Sequence, residues 1–226
     1  MWLDSLLTGD SWMGVWKHKF ICGGCHGIIS DYVCPICEYN NYIISPFEVD
    51  SARQMGREPA VTLMGAYPYT THLLLELMQR EWDRPLAEVP LIVIDNEKAP
   101  QRLIIVLLFW SLFENLMEVF FTQALSVLPK AIADDLLKHY SSIGSRLDRL
   151  YKLLFATTFK EDILSLGKVE LFEHLERLQK KRNAFVHGDP KAITEDLVRD
   201  TVLYLQDVQS AWIDLYNRRC TRKQPS

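Results

Sequence analysis

Apolar residues recur every three or four positions through most of the second half of the chain. This period places them on one face of an α-helix, so it predicts amphipathic helices that share a core. The predicted helices cover residues 72–82, 100–128, 131–155, 169–187 and 194–217. The last four are long and closely spaced along the chain, which predicts an antiparallel bundle.

Single residues mark the expected ends and breaks of these helices. Pro100 suits the first turn of the long helix, and Gly144 is a candidate break within the next one. Gly188 comes just after the third long helix, where glycine often terminates a helix. Thr194 is a candidate N-cap of the last helix. The sequence therefore supplies a boundary signal for each long helix.

Most of the N-terminal hundred residues lack the helical period. Residues 28–29 and 42–44 are strand candidates, and residues 91–94 predict a strand or a buried extended segment. The predicted fold class is mainly α, a four-to-five-helix bundle with a small N-terminal β-hairpin module. We divide the chain into a cysteine-containing module with an N-terminal arm (1–47), a connector with a short helix (48–98), the bundle (99–220) and a basic tail (221–226).

The most apolar stretch of the chain, residues 103–113, does not predict a membrane span. It is followed directly by Glu114 and Asn115, and a span needs about 20 apolar residues in succession. We therefore expect a buried central helix and no membrane partner.

Composition places the chain among globular proteins. It has 226 residues, of which 48% are hydrophobic and 24% charged, with a net charge of −4. This charge excludes a general polyanion binder, so any contact with nucleic acid needs a local basic patch. The N-terminus carries Asp4 and Asp10 and lacks the basic start of a secretion signal. We expect a cytoplasmic protein.

Four of the five cysteines form two CxxC pairs that are separated by eight residues, and these are Cys22, Cys25, Cys34 and Cys37. Two CxxC turns that face each other supply four thiolates in a tetrahedron, which is the geometry of a structural zinc site. Iron in a rubredoxin-like site and two disulfides are the weaker alternatives. We therefore expect a zinc ribbon whose Zn²⁺ is structural or recognitional and not catalytic.

Neighbouring residues fit tight turns at the cysteines. We expect Gly23, Gly24 and Gly27 to adopt strained backbone conformations, and Pro35 fixes φ in the second turn. The spacing allows a short hairpin between the two pairs. His26 adjoins the first pair and is an alternative ligand, although four cysteines already complete the coordination shell.

The helix at residues 169–187 carries a charged residue where its apolar stripe calls for leucine. Arg182 falls at the centre of this stripe, and His187 ends the helix just before Gly188. A guanidinium on an apolar face requires an anion, an acidic partner or a cleft. The alternative roles are structural: an ion pair for Arg182 and a C-terminal cap for His187.

The segment Arg182-Asn183-x-x-x-His187 resembles the R-x4-6-H motif of the HEPN superfamily of helical ribonucleases and nucleotide-binding domains. The resemblance covers roughly residues 99–220 and leaves out the cysteines. It implies a two-fold homodimer whose two motif helices line one cleft. It also implies metal-independent RNA cleavage, in which the 2′-hydroxyl attacks the adjacent phosphate and leaves a 2′,3′-cyclic phosphate. Many members are toxins or defence effectors, which implies an antitoxin or another defence-system partner.

The residue types agree with these implied roles. Arg182 can hold a phosphate through two parallel hydrogen bonds. His187 can move a proton near neutral pH. Asn183 lies four residues before His187 and can orient its ring or contact the ribose. In an ideal helix Arg182 and His187 point about 140° apart, which favours a site shared between two chains.

Further substrate contacts are predicted around this motif. Lys181 can join Arg182 in a basic rim for the RNA backbone, together with Lys180, Arg146, Arg149 and Lys152. Glu114 or Asn115 on the long helix can face the cleft and pair with Arg182. A solvated helix face is the alternative explanation for all of them.

The sequence therefore predicts a metal-independent endoribonuclease that binds RNA as a homodimer. The alternative is a non-catalytic HEPN module for dimerisation or nucleotide binding, in which the zinc ribbon docks a partner. A third interpretation is a zinc-ribbon nucleic-acid-binding regulator that the bundle dimerises.

Overall fold

A computed structural model of the chain describes residues 19–41, 50–51, 53–56, 66–94 and 97–221. The predicted N-terminal arm, the strand candidate at residues 42–44 and most of the basic tail lie outside these ranges. The fold is mainly helical, as predicted, and includes a small two-stranded sheet beside the cysteines.

The elements follow one another in a simple order. The ribbon contains β1 (Phe20–Ile21) and β2 (Ile28–Ile29), which pair antiparallel. A second hairpin consists of β3 (Val93–Ile94) and β4 (Glu97–Lys98). The long helices are α1 (Tyr69–Asp83), α2 (Ile104–Ala124), α3 (Lys130–His139), α7 (Val169–Val186), α8 (Glu195–Leu203) and α9 (Leu205–Cys220). Between α3 and α7 lie α4 (Ile143–Ser145), a π-helical segment (Arg146–Leu150), α5 (Tyr151–Phe155) and α6 (Phe159–Ser165).

Helix α2 forms the centre of the bundle and confirms the prediction of a buried central helix. Ten of its residues are buried, and Phe109, Leu112 and Phe121 are among them. In the described part of the chain, α2 is also the one helix long and apolar enough to cross a membrane, but 56% of its most apolar 18-residue window is buried inside the protein. That burial fits the core helix of a soluble protein.

Side-chain contacts fix the directions of the helices around α2. Helix α1 runs antiparallel to α2, because Thr71 bonds to Asn115 while Arg102, just before α2, bonds to the carbonyl of Arg84. Helices α8 and α9 run along α2 in its own direction. The amide of Gln101 donates to Glu195 at the start of α8, and Cys220 at the end of α9 contacts the carbonyl of Phe120.

Helix α7 runs antiparallel to α8, because Arg177 pairs with Asp200 and His174 stacks on Tyr204. Its last residues therefore lie near the start of α8, at the end of the bundle where α2 begins. We call this the motif end. The opposite end, where α9 finishes, is the ribbon end. From Gln101 to Phe120 the helical rise of about 1.5 Å per residue amounts to roughly 28 Å, which is the approximate separation of the two ends.

Several predicted boundaries need correction. The helix predicted at residues 131–155 breaks at Tyr140 and not at Gly144, because Tyr140 leaves the helical region with φ −97° and ψ 60°. The helix predicted at residues 194–217 is interrupted at Tyr204. Helix α6 was not predicted, although Thr158 and Glu161 begin it with a reciprocal capping box.

Two segments outside the predicted bundle also differ from expectation. Helix α1, assigned to the connector, buries Leu75 and Met78 against the bundle and belongs to its core. Residues 91–94 do contain a strand, but Leu91, Ile92 and Val93 are at least half exposed, so the segment is not buried. The hairpin instead projects at the motif end.

Candidate metal centre and Arg–His site

The cysteine ribbon consists of two similar turns. In the first, Cys22 and Gly27 close a loop through the Cys22 amide and the Gly27 carbonyl (2.9 Å). In the second, Cys34 and Tyr39 do the same (2.9 Å). Strands β1 and β2 flank the first turn, and a Val33–Asn40 bridge flanks the second. Each CxxC pair therefore lies at the tip of its own hairpin, in addition to the short hairpin between the pairs that the spacing allows.

The strained positions of the turns are not the predicted glycines. Positive φ occurs at His26 (61°) and Glu38 (60°), each directly after the second cysteine of its pair, while none of the three glycines has positive φ. Gly24 is required for space, because an added Cβ would lie 2.9 Å from Tyr39 and 3.2 Å from the Sγ atom of Cys37. At Gly27 an added Cβ would lie 2.7 Å from the Cδ1 atom of Ile36, but this atom ends an exposed, flexible side chain that can move aside.

The four sulfur atoms converge within one chain. All four Sγ atoms lie within 4.8 Å of one another. The pairs Cys22–Cys37 and Cys25–Cys34 are each separated by 3.7 Å. Zinc bonded to sulfur at about 2.3 Å separates its ligands by about 3.8 Å, whereas a disulfide needs about 2.0 Å. The cysteines can therefore hold a metal ion, and they form no disulfides.

Backbone and side-chain donors surround the sulfur atoms. The amides of Gly24, Gly27 and Ile36 donate to Cys22, Cys25 and Cys34 at 3.3–3.4 Å. Asn41 accepts from the Gly23 amide at 2.9 Å and places its side-chain amide 3.9 Å from the sulfur of Cys22. Sequence reasoning missed Asn41, because nothing in the spacing of the cysteines predicts it.

Three of the four thiols in the cluster have pKa values that differ from that of a free cysteine. Burial raises the pKa of the Cys25 thiol to about 12 and also raises that of Cys34. At Cys22 burial acts in the same direction, but hydrogen bonds from the Cys25 and Gly24 amides outweigh it and lower the pKa to about 7. Burial therefore favours the neutral thiol at Cys25 and Cys34, and a metal ion bound between the four sulfur atoms would favour their thiolate forms.

The ribbon docks on the end of α9 through one asparagine. The side chain of Asn217 accepts from the Ile28 amide at 2.7 Å and donates to the Ile28 carbonyl at 2.9 Å. Ile28 itself belongs to the core of the bundle. The cysteine cluster is therefore fixed at the ribbon end.

At the opposite end, α7 terminates as its sequence predicts. Gly188 has φ +103°, its amide bonds to the Phe185 carbonyl, and the Asp189 amide bonds to the Ala184 carbonyl. These two bonds define a Schellman cap. His187 occupies the C-cap position, and its side chain is exposed to solvent.

Arg182 is half-buried on α7. Its guanidinium contacts the side-chain oxygen of Asn183 at 3.2 Å, and within the described residues it has no acidic partner. The structural alternative of an internal ion pair is therefore not formed. Arg182 and His187 do not contact each other among the hydrogen bonds of the described chain, so a single chain does not bring the two groups together.

The other predicted contacts lie elsewhere. Asn115 accepts from Thr71 at 2.5 Å and, with Glu114, lines a groove of about 580 Å³ that Arg182 does not line. The predicted pairing of Glu114 or Asn115 with Arg182 is thus not formed within one chain. Lys181 is exposed on α7. Arg146, from the predicted basic rim, pairs with Glu118.

Comparisons with known proteins identify no relative, because no family model, no curated protein and no solved structure matches this chain. The function is therefore inferred from the residues themselves.

Proposed function

We propose that this protein is a metal-independent endoribonuclease of HEPN type, in which Arg182 and His187 act on one phosphodiester. The observation that carries the proposal is the state of Arg182. Its guanidinium sits on an otherwise apolar helix face, half-buried and without a carboxylate partner among the described residues. A permanent cation in such a place favours an external anion.

The chemistry follows from the two side chains. The ribose 2′-oxygen forms a bond to phosphorus, and the bond from phosphorus to the 5′-oxygen breaks. One proton leaves the 2′-hydroxyl and one reaches the departing 5′-oxygen, and His187 is the group suited to these transfers. Arg182 donates to the phosphate oxygens and stabilises the charge that grows on them. Asn183 holds the guanidinium before RNA binds.

A second copy of the chain completes the proposed site. The helical step separates Arg182 and His187 by about 140°, so one motif contacts the substrate together with the motif of its partner. Apolar side chains that a dimer could cover lie at the motif end. Val186, Leu91 and Val93 are more than half exposed, and Ile104 is 41% exposed. Lys181 stays on the exposed rim, where it can contact the RNA backbone.

Zinc, in this proposal, has a structural role. The four cysteines fit Zn²⁺ by their number and sulfur spacing, and they lie at the ribbon end, roughly 28 Å along the bundle from the motif. A closed shell of four thiolates leaves no open position for substrate. The proposal also includes a cytoplasmic location, a toxin or defence setting and an antitoxin partner. Only the motif resemblance supports these three points.

One observation favours the alternative of a non-catalytic module. Because His187 is exposed and does not contact Arg182 in the described chain, the same surface can serve dimerisation or nucleotide binding without cleavage. The ribbon would then dock a partner.

Cleavage of RNA separates the two candidates. Purified protein incubated with total RNA and a chelator should produce 2′,3′-cyclic phosphate ends. Arg182→Ala and His187→Ala should each lower the rate by about 100-fold or more. Lys138→Ala, an exposed cation on α3 outside the predicted basic rim, is the control and should retain most of the activity. Intact RNA together with tight nucleotide binding supports the alternative.

A further inference from the structure

The outward face of α1 carries a row of exposed apolar side chains. Tyr69, Leu73 and Leu77 are 79%, 42% and 39% exposed, and their spacing of four residues keeps them within about 80° of one another around the helix. The opposite face of α1 is buried against the bundle through Leu75 and Met78. We call the three exposed residues the α1 stripe.

The α1 stripe is a continuous surface, unlike the exposed apolar residues on the other helices. No other helix in the described ranges carries more than two exposed large apolar residues, and the two on α7, Val169 and Val186, lie at opposite ends of that helix. Single exposed apolar residues are normal on a protein surface, whereas a continuous patch usually contacts another surface. The α1 stripe is therefore a candidate docking surface.

The first described residue of the chain lies beside the start of α1. The Ala66 amide donates to the Lys19 carbonyl at 3.0 Å, and Ala66 precedes the first residue of α1 by three positions. Residues 1–18, the N-terminal arm, therefore connect to the fold within roughly 16 Å of Tyr69. Eighteen residues can span up to about 60 Å, and the stripe extends only about 12 Å along the helix. The arm is therefore long enough to cover the whole stripe.

The composition of the N-terminal arm suits an apolar surface. Nine of its 18 residues are apolar, and it contains three of the six tryptophans of the chain, Trp2, Trp12 and Trp16. Burial of such large side chains is strongly favourable. Because the arm is tethered close to α1, its effective concentration at the stripe is in the millimolar range. The arm therefore has an advantage over a second chain of similar composition at micromolar concentration.

We propose that the N-terminal arm binds to the α1 stripe of its own chain and covers it with its tryptophan and leucine side chains. This contact removes from solvent the apolar faces of Tyr69, Leu73 and Leu77 together with those of the arm. A second copy of the chain is the competing occupant of the stripe. The contact does not depend on the proposed ribonuclease activity, because α1 contributes no residue to the Arg–His motif.

Site-specific cross-linking in the full chain tests which segment covers the stripe. Leu73→p-benzoylphenylalanine places a photoreactive group in the middle of the α1 stripe. Irradiation should join it to residues 1–18, as identified by peptide mass spectrometry, and the product should keep the mass of a single chain. Val169→p-benzoylphenylalanine is the matched control, because Val169 is similarly exposed (47%) but lies on α7. The control should form no cross-link to residues 1–18.

Polar substitutions test whether the apolar side chains of the stripe hold the arm. Leu73→Gln and Leu77→Gln keep a good helix former at each position. Together they should speed chymotrypsin cleavage within residues 1–18 by about tenfold, because the loss of roughly one leucine of buried surface raises the population of the open form by that factor. Val169→Gln should leave the cleavage rate unchanged.

Several results would overturn the proposal. A cross-linked product with the mass of two chains would assign the stripe to a second copy, and a cross-link to residues 42–49 or 57–65 would assign it to another segment of the chain. A yield of cross-link to residues 1–18 no higher than in the Val169 control would show that the arm does not cover the stripe. Equal chymotrypsin cleavage in the leucine variants and the parent chain would show that the stripe does not hold the arm.

Discussion

The two ends of this bundle carry polar chemistry in opposite states of completion. At the ribbon end, four sulfur atoms converge within 4.8 Å, and backbone amides point at them. At the motif end, an exposed imidazole and a guanidinium lie on one helix, and among the described residues the guanidinium has neither an acidic partner nor a hydrogen bond to the imidazole. The first end is a finished site within one chain. For the second we propose that RNA and a second copy of the chain complete it.

This difference shows which contacts, local or distant in the sequence, determine the geometry of each site. A CxxC turn is local, since the backbone hydrogen bonds that shape it join residues at most five positions apart. At the end of α7, the local sequence determines only that the segment is helical and at which residue the helix ends. In the proposed function, the second half of the site at this helix end comes from another chain and from the RNA.

The largest effect should follow the removal of one thiolate. Cys25 is 1% exposed in the metal cluster, and structural zinc contributes about 10–16 kcal/mol to the folding of small zinc modules. Cys25→Ser should therefore lose its metal and the hydrogen-exchange protection of residues 19–41, while α7 and α8 stay protected. Metal analysis and exchange mass spectrometry measure both.

Cys220→Ser is the matched control for this experiment. Cys220 is buried in the bundle, and burial alone raises the pKa of its thiol to about 12, but it lies outside the cluster. The variant should keep about one metal ion per chain. Loss of protection around Arg182 in Cys25→Ser would show that the two ends are not independent.

The stability of the bundle should respond to acid through a buried histidine in the first half of α7. Burial lowers the pKa of His174 to about 4, and the nearby Arg177 guanidinium adds to this effect. An unfolded histidine has a pKa of about 6.5. Between these values the unfolded chain binds a proton that the folded chain does not, so stability should fall as the pH drops from 6.5 to 4. The loss is at most about 3 kcal/mol.

Urea unfolding at a series of pH values measures this dependence. His174→Gln should flatten it between pH 6.5 and 4, whereas His139→Gln, at an exposed position on α3, should leave it in place. An unchanged slope in His174→Gln would mean that another group carries the acid sensitivity.

A smaller effect is expected at the contact between ribbon and bundle. Asn217 makes two hydrogen bonds to the backbone of Ile28, each contributing about 0.5–1.5 kcal/mol net. Asn217→Ala should therefore loosen the ribbon by about 1–3 kcal/mol in hydrogen exchange and still retain the metal. Asn217→Asp keeps an acceptor and loses the donor, so its effect should be about half as large. Metal loss in either variant would show that docking and metal binding are one event.

Elements with local signals were predictable. Gly188 and Thr194 mark helix boundaries where the structure has them, since the glycine adopts positive φ and the threonine caps α8 through the Leu197 amide. The apolar run on α2 indicated its burial, and the cysteine spacing indicated their convergence. In each case the signal that allowed the prediction lies within one short stretch of sequence, even where the contacts that it indicates reach further.

Features that depend on distant partners were not predictable. Nothing near Asn217 indicates that its amide pairs with Ile28, 189 residues away. Asn115 was expected to face Arg182, but it bonds to Thr71 on a helix that the sequence assigned to a connector. The periodicity of a helix indicates which residues form its polar face. It does not indicate which neighbouring element packs against that face.

The most direct test of the account compares RNA cleavage after two changes, one at each end. Cadmium binds tetrahedral thiolate sites as zinc does, so protein loaded with Cd²⁺ should form cyclic-phosphate ends at about the rate of the zinc form. Arg182→Ala with its zinc intact should lose about 100-fold or more. Cleavage that changes with the metal and survives Arg182→Ala would place the chemistry at the ribbon end and contradict the account.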